Sequence, residues 1–454
     1  MTAAGKVSAG LQPYPAYKDS GVAWIGEIPV GWEVRRLKEI AKLRAGSAFP
    51  DAFQGNPAGE IAFLKVRNLE NDGKRTITNS NHWISIKTAQ ILNAYIFDAG
   101  VFVIAKIGAA LLKNRVRQLG MRCCIDNNMM AITVSAESSD FMAYALQTLN
   151  FAKLAESAAV PSLSAGKVGQ LPVVIPSPTE QHAIATFLDR ETARVDELLR
   201  EQGLLLEELG LKRQATITHA VIESQLPGGQ VSVDLPWARN MPASWQLLRL
   251  KNVLLGFEQG WSPEGEAREA TEDEWGVLKS GCVNRGVFRA DEHKALRGDI
   301  VPRPELEVQE GDLLMSRASG SLALIGSVAM VGAIRKQLML SDKLFRLIPK
   351  ADQVNTRFLY YAMNSAYMRL QIRQVVSGAE GLANNIGKGN IGNFMLMLPP
   401  PAEQQAIVDH LDAQLAQIDE LTEEVRASMD LMRQHRAALI TAAVTGKIDV
   451  RNLA

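Results

Sequence analysis

Apolar residues recur at seven-residue intervals in two long segments of the chain, residues 179–224 and 402–446. The later series is Leu411, Ile418, Val425, Met432 and Leu439, and the earlier one is Leu188, Val195 and Leu209, interrupted at Gln202. A sustained seven-residue repeat with charged flanks predicts helices that pair as a coiled coil. Proline-rich stretches precede both segments, which suits a helix start, and Thr179 is the predicted cap of the first helix. The alternative is that both are core helices of one large domain.

The intervening regions, here called the first head (roughly 33–175) and the second head (roughly 246–398), show a different pattern. Short apolar or β-branched runs such as IAFLKVRNL, YIFDAGVFVIAKIG and GSVAMVGAI alternate with Gly, Asn and Asp, which predicts strands and turns. FMAYALQTLN and FLYYAMNSAYMRLQIRQVV have the pattern of short helices. Each head is therefore predicted to be a compact α+β domain followed by a long helix.

The chain also contains an internal repeat. PSPTEQHAIATFLDRETARVDEL begins at Pro176 and PPPAEQQAIVDHLDAQLAQIDEL at Pro399, and their identical residues lie 223 positions apart without a gap. Upstream, a second set recurs 213 positions later, namely Trp24, Pro29, Trp32, Leu37 and Lys38. The ends of the two halves are shared, whereas their middles show little sequence similarity. This pattern indicates two copies of one architecture with divergent centres.

The sequence thus predicts an α+β fold with a pseudo-twofold internal repeat. Two α/β globular domains lie in tandem, separated and followed by long helices that pair as an antiparallel coiled coil. The predicted boundaries are 1–178 for the first globular domain with its N-terminal segment, 179–224 for the central helix, 225–401 for the second globular domain, and 402–454 for the C-terminal helix and tail.

Charge separates along these boundaries, although 49 basic and 49 acidic residues cancel overall. Residues 179–224 and 402–449 together hold 18 acids and 9 bases, which leaves 31 acids and 40 bases for the rest of the chain. Basic heads on acidic helices suit DNA-facing heads and protein-facing helices. The alternative reading is that helices simply favour Glu.

Motifs for catalysis or metal binding are missing from the sequence. It contains no GxxxxGK[ST], HExxH, GxSxG or GxGxxG pattern, and no Asn-Pro-Pro-aromatic tetrapeptide. The three cysteines, Cys123, Cys124 and Cys282, lack CxxC spacing, which argues against a zinc site or disulfide framework and favours a reducing cytoplasm. No apolar run reaches the roughly 18 residues of a membrane span.

The repeated segments resemble one known family. YKDSGVAWIGEIPVGWEVRRLKEIA, from Tyr17, resembles the opening of a target-recognition domain in Type I restriction-modification specificity subunits. IPSPTEQHAIATFLD, LPPPAEQQAIVDHLD, LKRQATITHAV and HRAALITAAVTGKIDV resemble the spacer-helix segments of that family. MPASWQLLRL is a weaker copy of the entry motif at the second head.

The resemblance implies a non-catalytic subunit whose two heads each read one half of a split, asymmetric DNA target. The helices would set the unread spacer and bind methyltransferase subunits, two copies by the pseudo-twofold symmetry, and restriction and translocase subunits would complete the enzyme. No cofactor is expected in this chain, because S-adenosylmethionine, ATP and Mg would belong to those partners.

The candidate DNA contacts are basic residues of the heads. In the first head they are Lys65, Arg67, Lys74, Arg75, Lys113, Arg115, Arg117 and Arg122, and in the second Lys279, Arg285, Arg289, Arg317, Arg335, Lys336 and Lys388. Lys65 and Arg67 alternate along a strand-like run, which predicts that they share a face. Asn68, Asn284 and Asn385 could pair with adenine, with turn formation as the alternative.

Three other functions stay open at this stage. The chain could be a coiled-coil scaffold that binds proteins without DNA specificity. It could be a nuclease or methyltransferase with unrecognised motifs. It could also be the specificity chain of a system that methylates without cutting.

Overall fold

The computed structural model describes residues 12–70, 75–134, 138–154, 161–223, 228–376 and 384–453. The chain forms two compact units, unit 1 from residues 1–202 and 427–454, and unit 2 from residues 203–426. Both boundaries fall inside long helices, so each unit contains one head together with part of each long helix.

The helices are short in the heads and long in the repeated segments. They are α1 (Leu37–Ile40), α2 (Ile86–Ile91), α3 (Ala109–Leu112), α4 (Ser139–Thr148), α5 (Ala165–Gly169), α6 (Pro178–Ile222), α7 (Leu250–Val253), α8 (Thr356–Met363), α9 (Ala366–Val375), α10 (Lys388–Gly392) and α11 (Pro401–Val444). At about 1.5 Å per residue, α6 and α11 are each roughly 65 Å long. No helix in the described ranges is both long and apolar enough to span a membrane.

The start of α6 corrects one prediction. Ser177, not Thr179, caps this helix, because Ser177 Oγ accepts a hydrogen bond from Glu180 N–H while Glu180 Oε2 accepts one from Ser177 N–H, both at 3.4 Å. This reciprocal pair is a capping box. Pro178 then occupies the first helical position, where its fixed φ favours the helix and its missing N–H costs nothing.

Unit 1 contains two main sheets. Its strands are β1 (Tyr17–Asp19), β2 (Glu27–Pro29), β3 (Glu33–Arg36), β4 (Ala41–Ala45), β5 (Ile61–Leu64), β6 (Thr76–Ile77), β7 (Trp83–Ile84), β8 (Phe102–Ala105), β9 (Val116–Leu119), β10 (Cys123–Ile125), β11 (Met129–Val134) and β12 (Pro172–Ile175). One sheet has the order β4-β11-β8-β9-β6 and the other β10-β5-β7. The buried helix α4 packs in the same core as β11 and the first turns of α6.

Unit 2 repeats this plan with different side chains. Its strands are β13 (Gln230–Leu235), β14 (Ala238–Pro242), β15 (Gln246–Arg249), β16 (Leu254–Gln259), β17 (Gly265–Glu266), β18 (Gly276–Leu278), β19 (His293–Leu296), β20 (Leu313–Ser316), β21 (Ala318–Ser319), β22 (Val328–Met330), β23 (Leu338–Met339), β24 (Leu344–Pro349), β25 (Asn384–Asn385) and β26 (Met395–Leu398). The main sheets have the orders β16-β24-β20-β22 and β17-β19-β18-β23.

Both heads begin and end on the same two-stranded ladder. β3 pairs antiparallel with β12, with Val34 opposite Val174, and β15 pairs antiparallel with β26, with Leu247 opposite Met397. These strands stand 213 and 223 residues apart in the two halves, so the repeat found in the sequence is also a repeat of hydrogen-bond register. The divergent middles share a further feature, since β5 with β10 and β18 with β23 are parallel pairs.

The seven-residue series lies along the buried side of the long helices. In α11, Leu411, Ile418, Val425 and Leu439 are all at most 6% exposed. Within unit 1, Leu188 of α6 shares a core with Ala443 of α11, and farther along α6 Asp196 pairs with the earlier residue Arg436. Residue numbers therefore rise along one helix as they fall along the other, and the two helices are antiparallel, as predicted.

Candidate nucleic-acid interface

A polar cleft of about 280 Å³ opens on the first head beside the 3-10 helix Val66–Leu69. Its lining residues come from this helix, from β6 with the turn after it, and from β9, and they are Arg67, Asn68, Glu70, Thr76, Ile77, Thr78, Asn79 and Arg117. The fold thus brings together two of the predicted DNA-contacting arginines with hydroxyl, amide and carboxylate groups. Such a mixture can hydrogen-bond to both donors and acceptors.

Arg67 lies beside a buried histidine at this cleft. Its Nη2 is 3.1 Å from His82 Nε2, while Gly55 N–H donates to His82 Nδ1 at 2.9 Å. Burial, and then the positive charges of Arg67 and Lys65, lower the pKa of His82, so the ring is neutral at pH 7. A neutral imidazole accepts through only one nitrogen. If that nitrogen serves Gly55, Nε2 carries the proton and offers Arg67 no acceptor.

The predicted alternation of Lys65 and Arg67 along a strand is wrong. β5 ends at Leu64, because Lys65 N–H donates to Asn68 Oδ1 at 2.8 Å and the chain turns into the 3-10 helix. Lys65 Nζ donates to Gln54 Oε1 at 2.7 Å, whereas Arg67 is exposed. Asn68 therefore forms a turn with its side chain, the alternative that the sequence had left open.

Arg115 and Arg117 hold the turn that follows the 3-10 helix. Arg115 Nη1 donates to the carbonyl of Leu69 and Arg117 Nη2 to that of Glu70, both at 3.5 Å. Arg117 Nη1 also donates to its neighbour's carbonyl, Val116 O, at 3.0 Å. These bonds fix the two guanidinium groups at the edge of the cleft.

The other predicted cations of the first head lie in different environments. Arg75 forms an ion pair with Asp189 of α6 at 3.2 Å and stacks on the Tyr144 ring, so it ties the head to the helix. Lys113 is exposed at the end of α3. Arg122 is exposed and lies 3.3 Å from Asp98. Lys74 lies outside the described residues.

In the second head, three predicted cations share one exposed loop. Lys279 follows β18, Arg285 lies in the 3-10 segment Ser280–Gly286, and Arg289 comes just after it. Backbone bonds fold this loop on itself, from Lys279 N–H to Glu292 O and from Arg289 N–H to Cys282 O, both 2.8 Å. Arg285 has φ +59°, a left-handed conformation that is uncommon for residues other than glycine. Asn284 belongs to the same turn.

The remaining cations of the second head divide into two groups. Arg335 donates to the carbonyls of Ala270 at 3.0 Å and Glu272 at 3.2 Å, and also to that of Glu274, so it holds a loop, while the adjacent Lys336 is exposed. Arg317 and Lys388 lie 5.5 and 5.6 Å from the ring of Phe345. Asn385 is paired with Ala318 in the β21–β25 ladder.

The described residues do not assemble a nucleophile or a metal centre. Burial raises the thiol pKa to about 12 in Cys123, about 11 in Cys124 and about 12 in Cys282, so these thiols stay protonated. No group of three or more His, Cys, Asp or Glu side chains in the described ranges could hold a metal ion. What the heads present to solvent is hydrogen-bonding and cationic chemistry.

Sequence reasoning missed the contacts that fix each head to its long helix. Tyr144 Oη donates to Asp189 Oδ1 at 2.6 Å in unit 1, and Tyr361 Oη donates to Asp412 Oδ1 in unit 2, where Arg357 Nε also donates to this oxygen at 2.8 Å. The two aspartates are 223 residues apart and belong to the repeated segments. The repeat could have pointed to them, but not to their tyrosine partners.

A second repeated contact uses glutamine. Gln181 Oε1 accepts from Ser138 N–H at 2.9 Å, and Gln404 Oε1 accepts from Asn355 N–H at 2.7 Å. Ser138 and Asn355 cap α4 and α8, so each glutamine joins the start of a long helix to the start of a head helix.

Comparisons with known proteins agree with this architecture. The model of a family described as "Type I restriction modification DNA specificity domain" matches residues 29–207 and 262–428. The EcoEI specificity subunit of Escherichia coli is 27% identical over 242 residues, which are 53% of this chain and 40% of that protein. The MjaVIII specificity subunit of Methanocaldococcus jannaschii is 24% identical over 217 residues, 47% of this chain and 48% of that protein. The chain thus spans under half the length of these two relatives.

Two further similarities extend over almost the whole chain. The EcoDI specificity subunit of Escherichia coli is 20% identical over 446 residues, 93% of this chain and 90% of that protein. A solved structure, described as "Structural basis underlying complex assembly and conformational transition of the type I R-M system", superposes with a TM-score of 0.63 at 16% identity. It covers 92% of this chain and 98% of its own, which is a likeness of fold.

Proposed function

The chain belongs to the family of Type I restriction-modification DNA specificity domains, and on that premise we propose that it is the non-catalytic DNA sequence-recognition subunit of a Type I restriction-modification enzyme. Each head reads one half of a bipartite target, and methylation and cleavage are the work of other subunits.

The observation that carries this proposal is that two chemically unlike heads are mounted in the same way. The ladders β3–β12 and β15–β26 have the same register, and the glutamine and aspartate contacts to the long helices recur 223 residues apart. The first head presents a mixed polar cleft, whereas the second presents the cationic loop Lys279–Glu292. Equivalent mountings with unlike reading surfaces fit a split target whose two halves differ in sequence.

Exposure sorts the candidate DNA contacts. Exposed cations that face solvent are kept as proposed contacts, and they are Arg67, Lys113, Lys279, Arg285, Arg289, Lys336 and Lys388. Arg75 and Arg335 are instead proposed to be positioning residues, because their guanidinium groups bind Asp189 and the carbonyls of a loop. Most contacts of such cations are to phosphates, which fix position rather than sequence.

The proposed partners follow from the repeat. A partner that recognises the start of α6 finds the same glutamine and aspartate at the start of α11, so two copies of a methyltransferase subunit suit the chain, together with restriction and translocase subunits. The division into 1–178, 179–224, 225–401 and 402–454 is retained as a functional proposal of reader, spacer, reader and spacer. A cytoplasmic location is proposed because the target DNA is intracellular and the buried thiols are unpaired.

The proposal is tested by mapping methylated bases in the source genome with and without the gene. Deletion should abolish methylation at one split, asymmetric adenine-containing motif, and re-expression of the chain should restore it. An unchanged map, in a strain where the methyltransferase is expressed and no second specificity gene exists, would favour the scaffold function instead.

A further inference from the structure

The cleft of the first head contains a carboxylate among its cations. Glu70 lines it together with Arg67 and Arg117, and Thr76, Thr78 and Asn79 supply uncharged polar groups. A phosphate group would meet the Glu70 carboxylate with a like charge, which is unfavourable at close range. The edge of a base pair carries no net charge and presents donors as well as acceptors, so it matches both the carboxylate and the guanidinium groups.

Arg67 is the group in this cleft whose hydrogen-bonding capacity is least used. The Gly55 N–H occupies the acceptor nitrogen of His82, so the Arg67 Nη2 group at 3.1 Å faces a nitrogen that carries a proton. Arg67 is exposed, and an acceptor that approaches it from solvent would relieve this mismatch. Arginine can donate two parallel hydrogen bonds to O6 and N7 of guanine in the major groove.

The neighbours of Arg67 are held more firmly. Arg117 is bound to the carbonyls of Val116 and Glu70, and Asn79 Oδ1 accepts from Ser80 N–H at 2.8 Å. That bond directs the amide oxygen of Asn79 to the backbone and orients its amino group as a donor. The cleft therefore has a fixed frame around one guanidinium group that lacks a satisfied partner on its histidine side.

We propose that this cleft reads base edges in the half-site of the first head, with Arg67 as a specificity-determining residue for a guanine and Asn79 as a donor to a neighbouring base acceptor. The inference rests on the proposed function and assigns the reading surface within it.

The test is methylation mapping in cells whose only copy of the gene encodes Arg67→Lys, Arg67→Ala or Asn79→Ala. Arg67→Lys keeps the charge but loses the two-pronged geometry. Arg122→Ala, another exposed arginine of the same head, and Arg289→Ala in the second head are the matched controls. The melting temperature of each purified full chain, bound to its methyltransferase, shows whether the variant folds.

We expect Arg67→Lys to relax the motif at one guanine of one half, with discrimination there falling roughly 5- to 150-fold, while the other half stays unchanged. Asn79→Ala should relax a different position of the same half, Arg289→Ala should affect only the other half, and Arg122→Ala neither. If Arg67→Lys and Asn79→Ala fold and methylate the wild-type motif, the cleft is not the reading surface. If deletion of the gene leaves all methylation in place, the proposed function itself fails, which is a separate result.

Discussion

Arg436 binds Asp196 through two parallel hydrogen bonds, from Nε to Oδ1 at 2.9 Å and from Nη2 to Oδ2 at 3.2 Å. The counterparts of these residues, 223 positions away, form the same contact in unit 2, where Arg213 Nε donates to Asp419 Oδ1 at 3.1 Å. The acid lies on α6 in one unit and on α11 in the other. The repeat therefore preserves a contact between two helices while exchanging the helix that supplies each charge.

This ion pair should contribute modestly to pairing of the helices. Because both side chains are partly exposed, we expect a coupling energy of about 0.3–1 kcal/mol between Asp196→Ala and Arg436→Ala in a double-mutant cycle measured by urea unfolding. Asp430 and Arg433, which pair within a single turn of α11, provide the control variants. A coupling energy at Asp196 and Arg436 within measurement error of zero would contradict the prediction.

The tyrosine contacts should matter more. Tyr144 is 1% exposed and donates to a charged carboxylate, Asp189, so Tyr144→Phe should lower the free energy of unfolding by about 1.5–3 kcal/mol. Tyr95→Phe alters a half-exposed tyrosine of the same head and should change stability by less than about 0.5 kcal/mol. Equal effects of the two substitutions on urea unfolding would show that the Tyr144 hydroxyl does not hold the head to α6.

Gly446 should resist substitution for two separable reasons. Its φ is +71°, and an added Cβ would collide with Pro29 and lie 3.0 Å from the Trp32 ring. Gly21 has the same φ of +71° with no atom within 4 Å of an added Cβ. Gly21→Ala should therefore cost only about 1–2 kcal/mol for the left-handed backbone, and Gly446→Ala a further roughly 1–3 kcal/mol for the clash. Similar melting temperatures for the two variants would rule out the steric part.

His82 should make the first head sensitive to mild acid. Its pKa is lowered in the fold by burial and by the facing cations Arg67 and Lys65, while the ordinary value is 6.5. Below about pH 6.5 the unfolded chain binds a proton that the folded chain refuses, so the free energy of unfolding falls as pH decreases from 6.5 toward the lowered pKa. His82→Gln should flatten this part of the stability profile measured by urea unfolding at successive pH values. An unchanged slope would show that another group is responsible.

The parts of the fold that sequence could predict are those fixed by periodicity and by repetition. The series from Leu411 to Leu439 lies on the buried side of α11, and the two repeat offsets reappear as ladder register in β3–β12 and β15–β26. The common plan of the heads stayed hidden because different apolar residues fill equivalent places. Ile125 and Leu64 form a parallel pair in one head, and Met339 and Val277 do so in the other.

The cationic sites were harder to predict, because the role of an arginine depends on partners distant in sequence. Arg335 binds carbonyls more than 60 residues earlier, and Arg75 binds Asp189, 114 residues later. Arg67 differs from them only in what surrounds it after folding, namely His82 and the turn beyond β6. Its basic charge alone could not distinguish a reading residue from a positioning one.

The ladder that opens and closes each head also bears on how such a chain could change during evolution. Glu33 lies opposite Ile175 and Gln246 opposite Leu398, so everything between the members of each pair is an excursion that leaves and rejoins the chain at neighbouring points. A recombination event that exchanged one excursion for another would need to preserve only four short strands. The rest of the protein would be left as it was, and a lineage could acquire a new specificity in a single genetic step.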